Sequence, residues 1–203
     1  MEQHLPAFLW PLQSQAALGC FAAKDIVVIY VAIPENIERD AARQSLRLAI
    51  TEMLVAAFNC PAQKIRITSV IAKGVHAFVA ERELFISMSY ETGIAIAAIS
   101  TKNQNGIDIL RLVPEIEWKD LAQLYLGKQK TLEILATPLP NQYRLFAKYW
   151  TQLESTFKSD RSTLTEYENQ ISAANSHIFT DTELFSLHVP DAYVASLALS
   201  AGA

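Results

Sequence analysis

The chain has 203 residues, of which 51% are hydrophobic and 19% are charged, so it is long enough to bury a core and is not disordered in composition. Its net charge of −4 argues against general nucleic-acid binding, and an anionic ligand would have to be met by local basic clusters. The longest apolar run, residues 26–33, is too short to span a bilayer, and the first residues lack the pattern of a secretory signal. We therefore expect a cytoplasmic protein with no membrane partner.

The cysteines and histidines do not have the spacing of metal ligands. Cys20 and Cys60 are isolated in the sequence, and the four histidines form no His-x-x-x-His pair or comparable motif. We expect reduced thiols and no zinc site.

The first half of the chain predicts a strand, a long helix and further strands. Residues 27–33 are apolar and β-branched, and residues 37–58 repeat apolar side chains at helical spacing before Asn59-Cys60-Pro61. Three later segments have the character of strands: 65–68, 85–89 and 94–99. Asn105-Gly106 is a strong hairpin signal and predicts a turn between the last of these strands and residues 107–110.

The second half returns to helix and then to strand. Residues 118–126 and 128–136 predict two short helices, and residues 141–158 predict a long one. Its apolar side is supplied by Leu145, Phe146, Tyr149, Trp150, Leu153 and Phe157. Two strands, 184–189 and 193–199, follow a polar segment at 159–175.

Both halves therefore have the order strand, helix, strands. Glu83-Leu84-Phe85 recurs as Glu183-Leu184-Phe185, and Ala95, Ala98 and Ser100 recur at the same offset of 100 positions. We predict an α+β fold of two similar lobes, residues 1–100 and 101–203, each a small antiparallel sheet packed on a long helix.

Three ordered segments resemble motifs of one enzyme family. They are residues 86–90 (Ile-Ser-Met-Ser-Tyr), residues 105–109 (Asn-Gly-Ile-Asp-Ile) and residues 150–158 (Trp-Thr-Gln-Leu-Glu-Ser-Thr-Phe-Lys). The chain resembles the larger, two-lobed, surfactin-synthetase-activating type of 4′-phosphopantetheinyl transferase. That family has a Ser-His-Ser-like element, then Gly-Ile-Asp-Ile-Glu, then Trp-x-x-Lys-Glu-Ser-x-x-Lys. The final strand is also similar, so the resemblance covers most of the chain.

The resemblance implies Mg²⁺-dependent transfer of the phosphopantetheine arm from coenzyme A to a serine of an acyl- or peptidyl-carrier protein. Asp108 and Glu154 match the metal-binding carboxylates, which suits a hard cation that takes oxygen ligands. Glu154 would also take the serine proton, and Lys158 matches the lysine that steadies phosphate charge. Members with two lobes place the site between their own halves, which implies a monomer.

The coenzyme A contacts are matched less closely. Met88, beside Ser89, stands where the family has a phosphate-contacting His, and Leu110 and Leu153 replace a second carboxylate and a Lys. The cations that could meet the coenzyme A phosphates instead include Arg43, Arg47 and Lys73, and also Lys64 and Arg66, which alternate on one strand face. Losing a charged hydrogen bond to phosphate would weaken binding by about one to two decades.

Alternatives remain for each residue and for the function. Asp108 could end the Asn-Gly turn, Glu154 and Lys158 could be a surface i,i+4 pair, and Arg43, Arg47 and Lys73 could be solvated surface charges. The chain could also be a degenerate relative that binds a carrier protein or nucleotide without transfer. An unrelated α+β binding module is a further alternative.

Overall fold

The computed structural model of the chain describes residues 3–70, 74–114, 117–167 and 182–200. These residues form an α+β fold with two mixed β-sheets. The strands are β1 (Gln3–Pro6), β2 (Phe8–Leu9), β3 (Ile26–Ala32), β4 (Ile65–Val70), β5 (Gly74–Val79), β6 (Arg82–Glu91), β7 (Ile94–Ser100), β8 (Asn105–Arg111), β9 (Thr182–His188) and β10 (Tyr193–Ser200). The helices are α1 (Ser14–Lys24), α2 (Arg39–Phe58), α3 (Trp118–Leu121), α4 (Gly127–Ala136) and α5 (Leu139–Ser159). In the described part of the chain no helix has both the length and the apolar character needed to cross a bilayer.

The first sheet has the strand order β2-β3-β7-β6-β5-β4 and is covered on one face by α1 and α2. Side chains alternate across a strand, so Val27 and Ile29 of β3 pack toward the helices, while Val28 packs on the opposite face. All seven residues of β7 are buried, as expected for a central strand with both faces covered. The first sheet is therefore a middle layer of the molecule.

The second sheet has the order β1-β9-β10-β8 and packs face to face with the first. Ile107, Ile109 and Leu197 of this sheet share one buried cluster with Val28 and Ile96 of the first. The layers are thus helices, first sheet, second sheet and α5 in turn.

Helix α5 lies unusually close to the second sheet because its contacting side chains are small. Ala147, Thr151 and Ser155 recur every fourth residue and are completely buried, and Thr151 Oγ1 lies 2.8 Å from Ser196 Oγ of β10. On β8 the helix meets Gly106, where a Cβ atom would come within 1.9 Å of the Ser155 carbonyl oxygen. Glycine at position 106 therefore sets the distance between α5 and β8.

The large apolar residues predicted for α5 mostly pack elsewhere. Phe146 is buried in a separate cluster with Trp118 and Tyr143, against which Leu145, Tyr149, Trp150 and Leu153 also pack. This cluster joins α5 to α3 and α4. The helical pattern was correct, but its bulky side faces these short helices, and a polar, small-residue stripe faces the sheet.

The two sheets share an order of elements that is compatible with the predicted pair of lobes. β3 pairs with β7 and β7 with β6, and in the same way β8 pairs with β10 and β10 with β9. The offset of 100 residues does not carry over to the strand pairing. Phe85 pairs with Ser100, but Phe185 pairs with Leu197 and not with Ser200. The boundary at residue 100 stays a prediction; β1, from the first half, joins the second sheet.

Two expectations about the strands were wrong. The sheets are mixed and not purely antiparallel, because β1 and β2 each add in parallel, to β9 and to β3. Asn105-Gly106 forms no hairpin turn but begins β8, which pairs with β10 and not with β7. β7 already has a neighbour on each edge, so it has no hydrogen-bonding groups to offer β8.

The close approach at Gly106 gives a stability prediction. Gly106→Ala should lower the free energy of unfolding by about 2 kcal/mol or more, because the new methyl group overlaps backbone atoms of α5 that cannot move independently. Urea unfolding measures the change.

Gly19→Ala is the matched control, because a Cβ there meets nothing within 4 Å and the residue lies inside α1. It should raise the free energy of unfolding by about 0.5–1 kcal/mol. Equal stability of the Gly106→Ala protein and the wild type would contradict the proposed packing.

Candidate active site

The unpaired edge of β8 lies across one face of β6 and is capped there by side chains. The Ile107 N–H donates to Ser87 Oγ at 3.0 Å, and the Arg111 N–H donates to a Glu91 carboxylate oxygen at 3.4 Å. The Asn105 side-chain amide donates to the Phe85 carbonyl oxygen at 3.0 Å. These bonds join the two sheets and place the middle of β8 at a buried crossing.

Asp108 lies at this crossing and is only 6% exposed. One of its carboxylate oxygens accepts hydrogen bonds from Lys158 Nζ at 2.6 Å and from Ser89 Oγ at 2.8 Å. Burial raises the pKa of the Asp108 carboxyl, although Lys158, Ser89 and the Ile109 N–H each favour its ionised form. Asp108 is therefore a buried acid in the middle of a strand, and not a turn residue.

Lys158 connects the two carboxylates that the sequence singles out. Its Nζ lies 3.6 Å from a Glu154 carboxylate oxygen and also donates to the Ile107 carbonyl oxygen at 3.2 Å. Burial, and then the nearby charge of Asp108, raise the pKa of Glu154. Glu154 and Lys158 are thus more than an exposed helical pair, since Lys158 reaches inward to Asp108.

Three adjoining clefts share Met88 in their linings. Their volumes are about 360, 480 and 530 Å³. Lys158 lines the first two, and Tyr90, whose hydroxyl donates to Met88 Sδ at 3.3 Å, lines the last two. Met88 therefore occupies the centre of one extended depression between α2, β6 and the end of α5.

Several cations face this depression. Arg39, Arg43 and Arg47 of α2 line its second and third clefts, and Arg161 lines the first. Burial raises the pKa of the Tyr90 phenol, and the positive charges of the three α2 arginines oppose this rise. Arg43 is 46% exposed and pairs with Asp40 at 2.9 Å. The α2 side of the depression is thus a basic wall suited to an anionic ligand, while Glu35 and Glu91 make the rest of the second cleft acidic.

The structure brings together most of the residues predicted for the site. Arg43, Arg47, Met88 and Lys158 all line the depression, and Ser89 lies in its second cleft and bonds Asp108. Lys73 lies outside the described residues. Leu110 and Leu153 pack against the apolar cluster of α3 and α4, which explains why neither position carries a charge.

Sequence reasoning missed three residues of the depression: Arg39, Tyr90 and Arg161. For two of them, the sequence contains a spacing that could have identified them. Arg39 precedes Arg43 and Arg47 at a constant spacing of four, which places all three on one helix face. Tyr90 is two positions from Met88 and so shares its strand face. Arg161 follows the end of α5, and its position could not be anticipated.

No protein-family model matches the chain. No curated protein matches it either. Among the described residues there is no group of three or more acidic, His or Cys side chains able to hold a metal ion. The features that bear on function are therefore the two carboxylates, Lys158 and the basic wall.

Lys158 supplies the positive charge that offsets the desolvation and the mutual repulsion of Asp108 and Glu154, so its removal should destabilise the protein. We expect Lys158→Met to lower the free energy of unfolding at neutral pH by about 2 kcal/mol, less than for a fully buried pair because Lys158 is 32% exposed. The deficit should shrink as the pH falls, because Asp108 and Glu154 take up protons and no longer need the cation.

Urea unfolding at several pH values measures this effect. Lys102→Met is the matched control, because Lys102 pairs with Asp25 but is 68% exposed. It should leave the free energy of unfolding nearly unchanged, because solvent screens an exposed ion pair. A Lys158→Met deficit that is the same from neutral pH to pH 4 would contradict the role assigned to Lys158.

Proposed function

We propose that this protein transfers the 4′-phosphopantetheine arm of coenzyme A to a serine of an acyl- or peptidyl-carrier protein. The observation that carries the proposal is a triad: Asp108 and Glu154 both lie within ion-pairing distance of Lys158, and Lys158 lines the basic depression. Two carboxylates and a lysine beside an anion-binding surface are the groups that phosphoryl-type transfer requires. The specific 4′-phosphopantetheinyl transferase fold is part of this proposal.

Binding of coenzyme A would use the basic wall. Arg43 and Arg47, joined by Arg39, would hold its phosphates, and Ser89 and Met88 would line the path toward Asp108. Arginine is suited to this task because its guanidinium presents several donors in a fixed plane to phosphate oxygens. Lys73, which lies outside the described residues, remains a proposed fourth contact.

The acidic residues fit a Mg²⁺ site of low charge. Both are hard oxygen donors, and both have a raised pKa, so a nearby dication would favour their ionised forms more strongly than one ammonium does. Asp108 and Glu154 would hold the ion, with pyrophosphate oxygens and water completing its shell. When bound, Mg²⁺ supplies neutralisation of the pyrophosphate charge.

Residues of this chain would accept the proton of the carrier serine and offset the charge on the phosphate. The carrier serine oxygen would form a bond to the phosphorus that carries pantetheine, and the pyrophosphate bridge would break to release adenosine 3′,5′-bisphosphate. Glu154 would accept the serine proton, directly or through a water. Lys158 would offset charge on the phosphate. Both sheets and the site come from one chain, so a monomer suffices.

A second candidate is a relative that binds a carrier protein or nucleotide without transfer. Lys158, Ser89 and the Ile109 N–H already satisfy Asp108, and a neutral Met88 occupies the centre of the depression. Both observations favour a site that holds an anion more readily than it holds a metal.

Mass spectrometry of intact carrier proteins separates the two candidates. With coenzyme A and Mg²⁺, a transferase adds one phosphopantetheine to an apo carrier protein, and Asp108→Asn and Glu154→Gln should each reduce the rate at least about a hundredfold. Glu117→Gln, at an exposed carboxylate before α3, should transfer at the wild-type rate. Binding of carrier and coenzyme A with no change in mass would support the second candidate.

The basic wall can be tested by binding alone. Arg43→Ala should weaken coenzyme A binding by about tenfold, the low end for a charged hydrogen bond, as measured by calorimetry. Arg82→Ala is the control, because that arginine lies over the Phe58 ring and lines none of the three clefts. Equal affinity of the Arg43→Ala protein and the wild type would return Arg43 to the role of a surface charge.

A further inference from the structure

The first cleft of the depression around Met88, of about 360 Å³, is lined by none of the α2 arginines. It lies between the start of β8 and the end of α5, and Lys158 lines both this cleft and the second one. Its volume is within the usual range of small-molecule sites, about 300–1,000 Å³. In the proposed function the α2 wall holds the coenzyme A phosphates, so the first cleft is left for another part of the ligand.

Asn105, the first residue of β8, lines this cleft and is only 6% exposed. Its side-chain N–H group donates to the Phe85 carbonyl oxygen at 3.0 Å, which fixes the orientation of the amide. The amide oxygen, Oδ1, is buried and accepts no hydrogen bond within the part of the chain that the structure describes. A buried polar atom without a partner is unfavourable, so this oxygen is a candidate acceptor for a group of a ligand.

Ser87 of β6 supplies the complementary group. It is 8% exposed, lines the same cleft, and accepts the Ile107 N–H with its hydroxyl oxygen. Its own proton is donated to no other residue of the described ranges, so the O–H group remains a donor. Because Asn105 bonds to Phe85 and Ile107 bonds to Ser87, the two groups belong to neighbouring bridges between β8 and β6, roughly 7 Å apart at the rise of a strand.

Phe85 adds an apolar surface to the cleft. Its side chain shares a strand face with Ser87, because the two residues are two positions apart on β6. The ring is partly exposed, and it belongs to none of the three buried apolar clusters formed by the described residues. A hydrocarbon group of a ligand would therefore remove part of this ring from water.

We propose that the first cleft binds a secondary amide that lies next to a branched hydrocarbon. The amide carbonyl oxygen accepts a hydrogen bond from Ser87, the amide N–H donates to Asn105 Oδ1, and the hydrocarbon packs on Phe85. A trans amide directs these two bonds to opposite sides, and its partners then stand roughly 7 Å apart. The inference rests on the proposed function, because in coenzyme A this group is the pantetheine amide nearest the phosphate, beside two methyl groups.

The distance from the triad agrees with this assignment. Ser89 bonds to Asp108, and Ser87 precedes Ser89 by two residues, which is roughly 7 Å along β6. In pantetheine about six bonds separate the phosphorus from the nitrogen of this amide, which also spans roughly 7 Å when extended. A phosphate beside Asp108 and Lys158 therefore leaves the amide within reach of Ser87, while the adenosine end lies on the side of the α2 wall.

Calorimetry with 4′-phosphopantetheine and one analogue tests the inference on the wild-type chain. The analogue has an ester oxygen in place of the N–H of this amide, so it keeps the shape and the carbonyl group but loses the donor. It should bind at least about fivefold more weakly, because Asn105 Oδ1 then faces an acceptor.

Asn105→Leu should remove the difference between the two ligands. In this variant the amide and the ester should bind with equal affinity, whatever the change in affinity common to both. Asn103→Leu is the matched control, because Asn103 lies two positions earlier and does not line the cleft, so it should keep the preference for the amide. Adenosine 3′,5′-bisphosphate should bind equally to the wild type and to Asn105→Leu.

Equal binding of the amide and the ester by the wild type would overturn the inference, and so would a preference that persists in Asn105→Leu. Weaker binding of adenosine 3′,5′-bisphosphate to Asn105→Leu would also overturn it, because the adenosine end would then occupy the first cleft. The wild-type comparison needs no variant, so it stands even if Asn105→Leu folds poorly. If the amide and the ester bind equally while transfer occurs, only this subsite is lost. If neither coenzyme A nor 4′-phosphopantetheine binds, the proposed function fails with it.

Discussion

The candidate site depends on how the backbone N–H groups along the outer edge of β8 obtain hydrogen-bond partners. β8 is at the edge of the second sheet, and an edge strand whose N–H groups are buried without partners would be costly. Side chains of β6 accept hydrogen bonds from the N–H groups of Ile107 and Arg111, and the Asp108 carboxylate accepts one from the N–H of Ile109. Because these bonds hold β8 across β6, Asp108 is buried at the crossing of the two sheets. Its burial is a result of how the sheets are joined.

The second requirement is the close approach of α5, which depends on small residues. Gly106 on β8 and Thr151 and Ser155 on α5 allow the backbones to come together, so that the side chain of Lys158 reaches Asp108 while Glu154 stays within its range. Lys158 forms ion pairs with these carboxylates only while they are ionised, which links the charge state of the site to the stability of the interface between helix and sheet.

The sequence predicted the central elements well, because α2, α5, β3, β6, β7 and β10 have clear periodicity and buried faces. It did not predict α1, β1, β2 or β5, since α1 buries only Ala17 and Phe21 and the three strands are short or lie away from the sheet centre. Asn105-Gly106 misled because local turn chemistry was outweighed by the packing of α5 on Gly106. Asp108, Glu154 and Lys158 came from the resemblance; their mutual contacts depend on the crossing of the sheets, which no local pattern describes.

The pairing of β1 with β9 has a consequence for how the chain reaches its fold. The strands of the first sheet all come from a continuous stretch, β2 to β7, whereas β1 precedes that stretch and must wait for β9, which is made only after the whole first sheet. Contacts between such distant segments form slowly, because a long loop must close before they contribute. During translation, β1 would be a short strand without its partner while the first sheet is already able to assemble. Once β9 has been made, and until β1 docks, β9 would present an open edge to other chains, which makes this interval the period of greatest risk of aggregation.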